Sequence, residues 1–498
     1  MKHILLLCVA LLCGFASSAA PAESKSGDAA TAEAMLTNIF NGADPGALSV
    51  GGITVYGVVD ITLAYQSHGT QPSPYMNGNY LIAKNSGGEQ IHFTDNAMSQ
   101  SLIGVKLDQP LALVGLRDWS LVSDAQIGFD PAFASIQDTC KSLVLVNGAN
   151  NVSGTTANAD SSRCGQLFNG EAYGGIKNDT YGTLRFGRQT SLMFYYIGTY
   201  DPQQLSFANS LFGLSGTYAG SLGDTQDKHW NNSLKYFNAI GPVHLASQYR
   251  FSGDGQGGRA YLVDGGIKGW GRLDGFSMDA LWGRFYDGIS VSSLTSSTAK
   301  TPAAGSCQSL GVSLSDCTHL NVLNAVVSDN KGWTVMTKYN LARLGLPTVT
   351  AMGGYEHIQY ANPRATLPSG YETIGGYLLN YTSATFTTYT TDKTLHVSWF
   401  GAQWGITRKL SAAGGWYHFI QNSYVKSGAA CTNPGSGTST QSQCWGEMDW
   451  LSATLDYQLA KRLDVYGGYS YTHESGGVTN GYTYTSTNNV TTGFRFRF

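Results

Sequence analysis

The cysteines are the residues whose spacing first points to chemistry. Two of the eight lie in a predicted signal peptide. The other six form three couples that are local in the sequence: Cys140 with Cys164, Cys307 with Cys317, and Cys431 with Cys444. An exported chain meets oxidising conditions, so we expect these couples to be disulfides. A metal site is the alternative, but the chain has no CxxC and only a lone His319 near a couple.

Catalytic motifs are absent from the sequence. It contains no GxSxG, no HExxH, no P-loop and no GxGxxG opening a helix. Four of its ten histidines are scattered along period-two segments: His244, His357, His396 and His418. We therefore expect no enzymatic activity, no cofactor and no metal centre.

Composition limits the class of protein further. Charged residues make up 13% of the 498, about half of the usual share, and the formal charge is −3. A basic nucleic-acid binder is thereby excluded. Aromatic residues at 12% disfavour disorder, and 62 glycines with 29 tyrosines favour an extended β architecture.

The N-terminal part differs from the rest of the chain. Residues 1–22 have the basic start, short apolar run and small residues near Ala22 that are typical of a secretory signal peptide. Residues 23–50 are Ala-rich and are predicted to be an extension, either a flexible arm or a short amphipathic helix. Residues 51–498 are predicted to form the main domain.

From Ile53 onward apolar and polar residues alternate. In the first segment Ile53, Ile61 and Leu63 share one face, and Asp60 lies on the other. Segments of about ten residues are joined by alternately short and long connections, which is typical of an outer-membrane barrel. Sixteen segments result when 322–341 is taken as one strand, bulged or frayed around 328–331, because all long loops then share one side.

The membrane explains why such a chain must close on itself. Hydrocarbon offers no hydrogen-bond partners, so a sheet without long apolar helices must be a closed barrel. We predict an all-β fold, a 16-stranded antiparallel transmembrane β-barrel with short periplasmic turns and long extracellular loops. A barrel of this size leaves a lumen that water can fill.

Six motifs resemble the general porins of Gram-negative bacteria, most closely the trimeric type of Burkholderia and its relatives. In chain order they are ITVYGVVD, SLIGVKL, EAYGGIKNDTYGTLRFGRQ, NNSLKYFN, LDYQLAKRLDVYGGYSYTH and the terminal GFRFRF. The resemblance implies a homotrimer whose third loop, after Gln189, folds into the lumen. It also implies that acidic residues of this loop face basic residues of the wall at a constriction.

The resemblance and the alternation together predict the basic side of the constriction: Arg185, Arg188, Lys106, Lys228 and Lys235. Arg188 matches the family's arginine, yet strict alternation points it outward unless a bulge re-aims it. Alternation points Arg185 inward. The alternatives are an interfacial arginine at the strand rim and solvated lumen charges without a selective role. Two of the family's basic positions are taken by Val58 and Leu102 here, so the sequence assigns neither cation nor anion preference.

Acidic and aromatic residues of the third loop complete the predicted constriction. The acidic candidates are Asp201, Asp224 and Asp227. The aromatic candidates are Tyr195, Tyr196, Tyr200 and Phe207, which either pack the loop against the wall or offer a stacking surface to a solute.

The C-terminal residues Phe494, Phe496 and Phe498 resemble the family's assembly signal, which the barrel-assembly machinery reads. The resemblance implies a water-filled channel for passive diffusion of small hydrophilic solutes and ions, with lipids of the outer membrane around it. A substrate-specific channel on the same barrel is the alternative, and a non-conducting surface β-protein is a further one.

Overall fold

We analysed a computed structural model of the chain. It describes residues 48–68, 88–131, 135–136, 167–214, 222, 228–252, 258–269, 274–294, 322–363, 373–374, 377–379, 389–426, 431, 443–479 and 484–498. The predicted signal peptide and nearly all of the extension lie outside these residues and stay predictions. So do Asp224, Asp227 and the couples Cys140–Cys164 and Cys307–Cys317.

Sixteen strands form the wall. They are β1 (Ile53–Gln66), β2 (in two segments, Gln90–Asp95 and Leu102–Pro110), β3 (Trp119–Asp130), β4 (Ala172–Asn178), β5 (Gly182–Thr190), β6 (His229–Ile240), β7 (Val243–Arg250), β8 (Ala260–Lys268), β9 (Phe276–Leu294), β10 (Val322–Asn340), β11 (Val349–Ala361), β12 (Lys393–Gly405), β13 (Leu410–Gln421), β14 (Gly446–Ala460), β15 (Leu463–Gly476) and β16 (Ser486–Arg497). Each pairs antiparallel with the next along the chain.

The sheet closes where the first strand meets the last. β1 pairs with β16 from Val58–Arg497 to Gln66–Asn489, and with both segments of β2 on its other edge. Among the described residues every barrel strand therefore pairs on both edges, as a lipid environment requires. The predicted 16-stranded antiparallel barrel is confirmed.

The first and last strands show the predicted alternation of apolar outside and polar inside, whereas β12 and β13 also bury apolar side chains such as Leu395, Val397 and Phe419 on the inner face. On β1, Ile53 and Leu63 are exposed on the outer face, whereas Asp60 and Thr62 are fully buried inside. On β16, Phe494 faces outward and Arg495 inward. Outward side chains thus give the apolar band that contacts lipid, and inward ones line or fill the lumen.

Short turns and long loops alternate as predicted. The turns after β6, β10, β12 and β14 are short, and the turn after β10 is a 3₁₀ helix, Leu341–Leu344. Helices also lie in the third loop: α1 (Leu192–Tyr200) and the short α2 (Leu211–Leu214). None of the helices among the described residues is long and apolar enough to span a membrane.

Strand β10 is continuous, which confirms the strand count, but the irregularity lies elsewhere than expected. The pairing shifts between Phe285 and Gly288 of β9, opposite Asn330 and Ser328. The extra residue therefore belongs to β9, where Asp287 has φ of +49°. The prediction placed the bulge on the wrong strand of the pair.

The C-terminal residue is held by the first strand. Phe498 donates its backbone N–H to the Gly57 carbonyl at 3.0 Å and accepts from the Gly57 N–H at 2.9 Å. A Cβ on Gly57 would lie 2.3 Å from the Phe498 ring, so the ring needs a glycine below it. This contact extends the closing pairing to the end of the chain.

One predicted disulfide lies within the described residues. Cys431 and Cys444 are bonded, and their Cα atoms are 5.1 Å apart. The bond closes part of the loop between β13 and β14, on the long-loop side of the barrel.

Candidate functional site

The third loop lies inside the barrel. It begins with α1, whose N-cap Ser191 accepts the Phe194 N–H at 3.2 Å through its Oγ. Eight of the nine α1 residues are buried. A helix that is apolar on all sides requires burial on all sides, and the lumen supplies it.

The segment after α1 is fastened to the far wall. The indole N–H of Trp399 on β12 donates to the Tyr200 carbonyl at 3.0 Å. The Gln403 amide of the same strand donates to the Pro202 carbonyl at 3.0 Å. A second wall contact lies at the gap between the two segments of β2, where Ala97 accepts the Ala208 N–H at 2.9 Å. The loop therefore crosses the lumen and narrows it.

Asp201 stands at the centre of this crossing. Its carboxylate accepts the Tyr417 hydroxyl and the N–H groups of Leu205 and Gln203, the latter two at 2.6 and 3.2 Å. The side chain is 0% exposed, and this burial raises the pKa of the Asp201 carboxyl above its usual range. The expectation that Asp201 faces the channel is wrong, because its oxygens are used within the protein to hold the loop.

The aromatic residues of the loop pack rather than present a surface. Tyr195, Tyr196 and Tyr200 are buried, and the Tyr195 ring lies 5.2 Å from that of Phe237 on β6. Phe207 keeps partial exposure. The three tyrosines thus pack the loop against its surroundings and offer no exposed ring face to a solute.

Two of the predicted basic residues form an enclosed pair. Arg185 on β5 lies directly opposite Lys235 on β6, and they are 6% and 2% exposed. The guanidinium lies 4.5 Å from the Tyr173 ring centroid, and the Lys235 ammonium donates to the Thr190 carbonyl. Both side chains lie on the inner face and are buried, and the Lys235 ammonium lies 5.6 Å from the ring centroid of Tyr195 in the third loop. Neither residue therefore faces open water.

Arg188 is re-aimed by a bulge. The pairing of β5 and β6 shifts between Gly187 and Gln189, and Asn232 opposite has φ of +49°. The Arg188 guanidinium donates to the Asn169 carbonyl and, at 2.7 Å, to Asn231 Oδ1. Arg188 is 7% exposed, so it anchors the base of the loop and is not a free rim charge.

Two other predicted lysines remain partly exposed. Lys106 on β2 lies with its ammonium 4.7 Å from the Tyr56 ring centroid. Lys228, at the end of the third loop, lies between two rings, 4.9 Å from Phe194 and 4.8 Å from Phe207. Cation–π contacts of this kind orient a charge without neutralising it.

Glu171 is a functional residue that the sequence reasoning missed. It precedes β4 and accepts both the backbone N–H and the hydroxyl of Thr190, where the third loop begins. Burial raises the pKa of the Glu171 carboxyl, but nearby Lys235 and His229 and the two Thr190 hydrogen bonds outweigh burial and lower it. The ionised carboxylate therefore helps to fix the base of the loop.

A pH dependence follows from Glu171. Because its pKa is lowered by folding, its contribution is present above the usual carboxyl pKa of about 4.3 and is lost as pH falls through the folded value. We expect the thermal unfolding temperature of the wild type to fall more between pH 7 and pH 3.5 than that of Glu171→Gln. Circular dichroism melts of both proteins check this, and equal falls would contradict it.

The fold and the inward loop define a porin, and the comparisons agree. A family model described as Gram-negative porin matches residues 8–477, so the chain belongs to the Gram-negative porins. It resides in the outer membrane and forms a channel for passive diffusion. No curated protein gives a significant match.

Solved structures share the fold at low sequence identity. The anion-selective porin of Comamonas acidovorans is 12% identical with a TM-score of 0.51, over 90% of this chain and 99% of that one. OmpT of Vibrio cholerae in a trimer form is 12% identical with a TM-score of 0.51, over 90% and 100% of the two chains.

Proposed function

We propose that the protein is a trimeric general diffusion channel for small hydrophilic solutes, and that it has no catalytic activity. The observation that carries this proposal is the closed barrel with polar inner residues and a loop fastened across its lumen. Such a loop sets the limiting cross-section, while the barrel needs no energy source to conduct. The trimer form of the similarly folded OmpT supports the oligomeric state.

Planar-bilayer recording tests the channel itself. Purified protein should insert in steps of ohmic conductance, and absence of such steps from a folded barrel would contradict the proposal. A substrate-specific channel would instead show saturating block by one solute. The burial of the loop tyrosines leaves no observation that favours it.

Partly exposed charges of the wall, rather than the enclosed ones, would set ion preference. We place the solute path between the third loop and the wall near β2–β4. There the Lys106 ammonium is partly exposed, and Lys177 forms a loose pair with Asp108 at 3.7 Å, with 34% and 57% of the two side chains exposed. Interactions of charges in water are about 1 kcal/mol at contact and are screened by salt. Each such charge should therefore change selectivity modestly.

Lys106→Gln is expected to move the reversal potential in a salt gradient toward cation preference by a few millivolts, since it removes one positive charge from the path. Conductance should stay close to wild type. Lys331→Gln is the matched control, because Lys331 lies on β10 on the outer face and is exposed there. Equal reversal potentials for the wild type and Lys106→Gln would remove Lys106 from the path.

A further inference from the structure

Three ligand-type side chains meet on the lumen wall near its periplasmic end. His244 lies one residue into β7, and Asp264 and Asp279 face it from β8 and β9. One ligand atom of each lies within 4.8 Å of the others. The His244 Nε2 is 3.7 Å from Asp264 Oδ2 and contacts Asp279 Oδ1 directly. None of the three residues is among the predicted constriction residues, although two tyrosines of the third loop contact the cluster.

A glycine makes room for the cluster. Gly266 of β8 pairs with His244 on one side and with Asp279 on the other. A Cβ at this position would lie 2.1 Å from Asp279 Oδ1 and 2.3 Å from His244 Nε2. Any other residue at position 266 would therefore displace the His244 and Asp279 side chains. The cluster depends on a glycine at this position.

The buried carboxylate of Asp264 has too few polar partners to offset its loss of contact with water. Its side chain is 0% exposed, and among the described residues neither oxygen has a hydrogen bond of ordinary geometry, although the Tyr196 hydroxyl and the Asp279 carboxyl group approach it. Asp279, by contrast, accepts the Tyr200 hydroxyl. Burying a carboxylate without a partner is costly, and the cluster places two acids beside one imidazole. The cluster thus has the charge and the open ligand atoms for a cation.

We propose that His244, Asp264 and Asp279 bind a divalent transition-metal ion of the Zn²⁺ type. One imidazole nitrogen and carboxylate oxygens are ligands that such ions prefer. Two ligand atoms at about 2.1 Å from a tetrahedral ion lie about 3.4 Å apart. The His244–Asp264 distance of 3.7 Å is close to this, whereas His244 Nε2 and Asp279 Oδ1 contact each other directly and would separate to admit the ion. The partly exposed His244 side chain leaves an entry from the lumen.

The ion would connect the wall to the third loop. The Tyr196 ring stacks on the His244 ring with centroids 5.6 Å apart, and the Tyr200 hydroxyl holds Asp279. These contacts orient two ligands from α1, as outer partners of metal ligands do. Binding would therefore stabilise both the joined strands β7–β9 and the docked position of α1.

Zn²⁺ titration of the full-length protein in detergent, competed with a fluorescent chelator, tests the proposal. We expect one ion per chain, at least tenfold weaker binding in Asp264→Asn, and a Zn²⁺-dependent rise in unfolding temperature that this variant lacks. His418→Gln is the matched control. His418 and Asp449 also form a histidine–carboxylate pair at 2.9 Å elsewhere on the barrel, but the pair supplies only two possible metal ligands. This variant should bind Zn²⁺ like the wild type.

The outcomes are decisive even if one variant fails to fold. Heat-modifiable migration on a gel shows whether each variant has folded into a barrel. If Asp264→Asn does not fold, His244→Gln takes its place in the titration. The proposal is overturned if the folded wild type binds no Zn²⁺, or if its affinity persists unchanged in the folded cluster variant. None of these measurements depends on channel conductance. A negative Zn²⁺ result would therefore leave the proposed diffusion function intact.

Discussion

Asp201→Ala is expected to release the third loop from the far wall and to give a larger, noisier single-channel conductance. The substitution leaves the Tyr417 hydroxyl and the Leu205 and Gln203 N–H groups without their buried acceptor. Each buried donor without a partner costs about 1–3 kcal/mol. Only the Tyr417 hydroxyl belongs to the wall, while the Leu205 and Gln203 N–H groups fix the turn of the loop that carries the wall contacts. A combined loss near 3 kcal/mol would change the ratio of docked to undocked loop about 100-fold. Planar-bilayer recordings of the refolded variant measure it.

Two further substitutions separate the loop clamp from a general effect of charge. Tyr417→Phe removes the contact of Asp201 with the wall and keeps the two contacts within the loop, so it should give a smaller change of the same sign. Asp108→Ala removes a carboxylate of the wall whose side chain is 57% exposed, and it should leave conductance near the wild-type value. A folded Asp201→Ala barrel with wild-type conductance and noise would contradict the role of Asp201.

The barrel was predictable from sequence because its physical cause is local. Each strand must alternate between lipid and lumen, so Leu63 and Thr62 reveal their faces by type alone. The parity of the long loops then corrects the strand count at β10. The bulge opposite Asp329 was assigned to the wrong strand, since a bulge shifts the register of two strands and the sequence of one cannot say which holds the extra residue.

The constriction was less predictable because its contacts are distant in sequence. From the sequence, Asp201 is predicted to be an acidic residue of the loop. Its contact with Tyr417, 216 residues later in the chain, arises only in the folded barrel. Alternation gives the inward direction of Lys235 but cannot show that the third loop covers it. Sequence therefore identifies which side chains point inward, while the docked loop decides which of them meet water.

The His244 cluster shows the same limit. The residues that meet there come from three strands, and none has a metal-binding spacing in the chain. The sequence did not identify Asp264 and Asp279 as partners of His244, because only the register of β7, β8 and β9 brings the three residues together. Gly266 is the one signal that the sequence offered, a glycine within a strand that marks a close approach.

Arg495→Met is expected to destabilise the barrel by about 3 kcal/mol or more, because it breaks a buried charge network at the closing seam. The Arg495 guanidinium donates to Asp464 at 3.1 Å, to Asp456 at 2.7 Å and to Ser99 Oγ at 2.9 Å. Ser99 also donates its N–H to Asp60 of β1 at 2.8 Å. The arginine thus joins β14, β15 and β16 to the segment that interrupts β2.

The loss of unfolding free energy distinguishes a buried charge network from an exposed ion pair. Urea unfolding of the refolded barrel, followed by tryptophan fluorescence, gives the free energy of each variant. Lys177→Met breaks the exposed pair with Asp108 and should cost only about 0–1 kcal/mol. Arg495→Lys keeps the charge but cannot reach all three acceptors with one ammonium, so it should fall between the two. Equal losses for Arg495→Met and Lys177→Met would mean that the seam is held by backbone pairing of β1 and β16 alone.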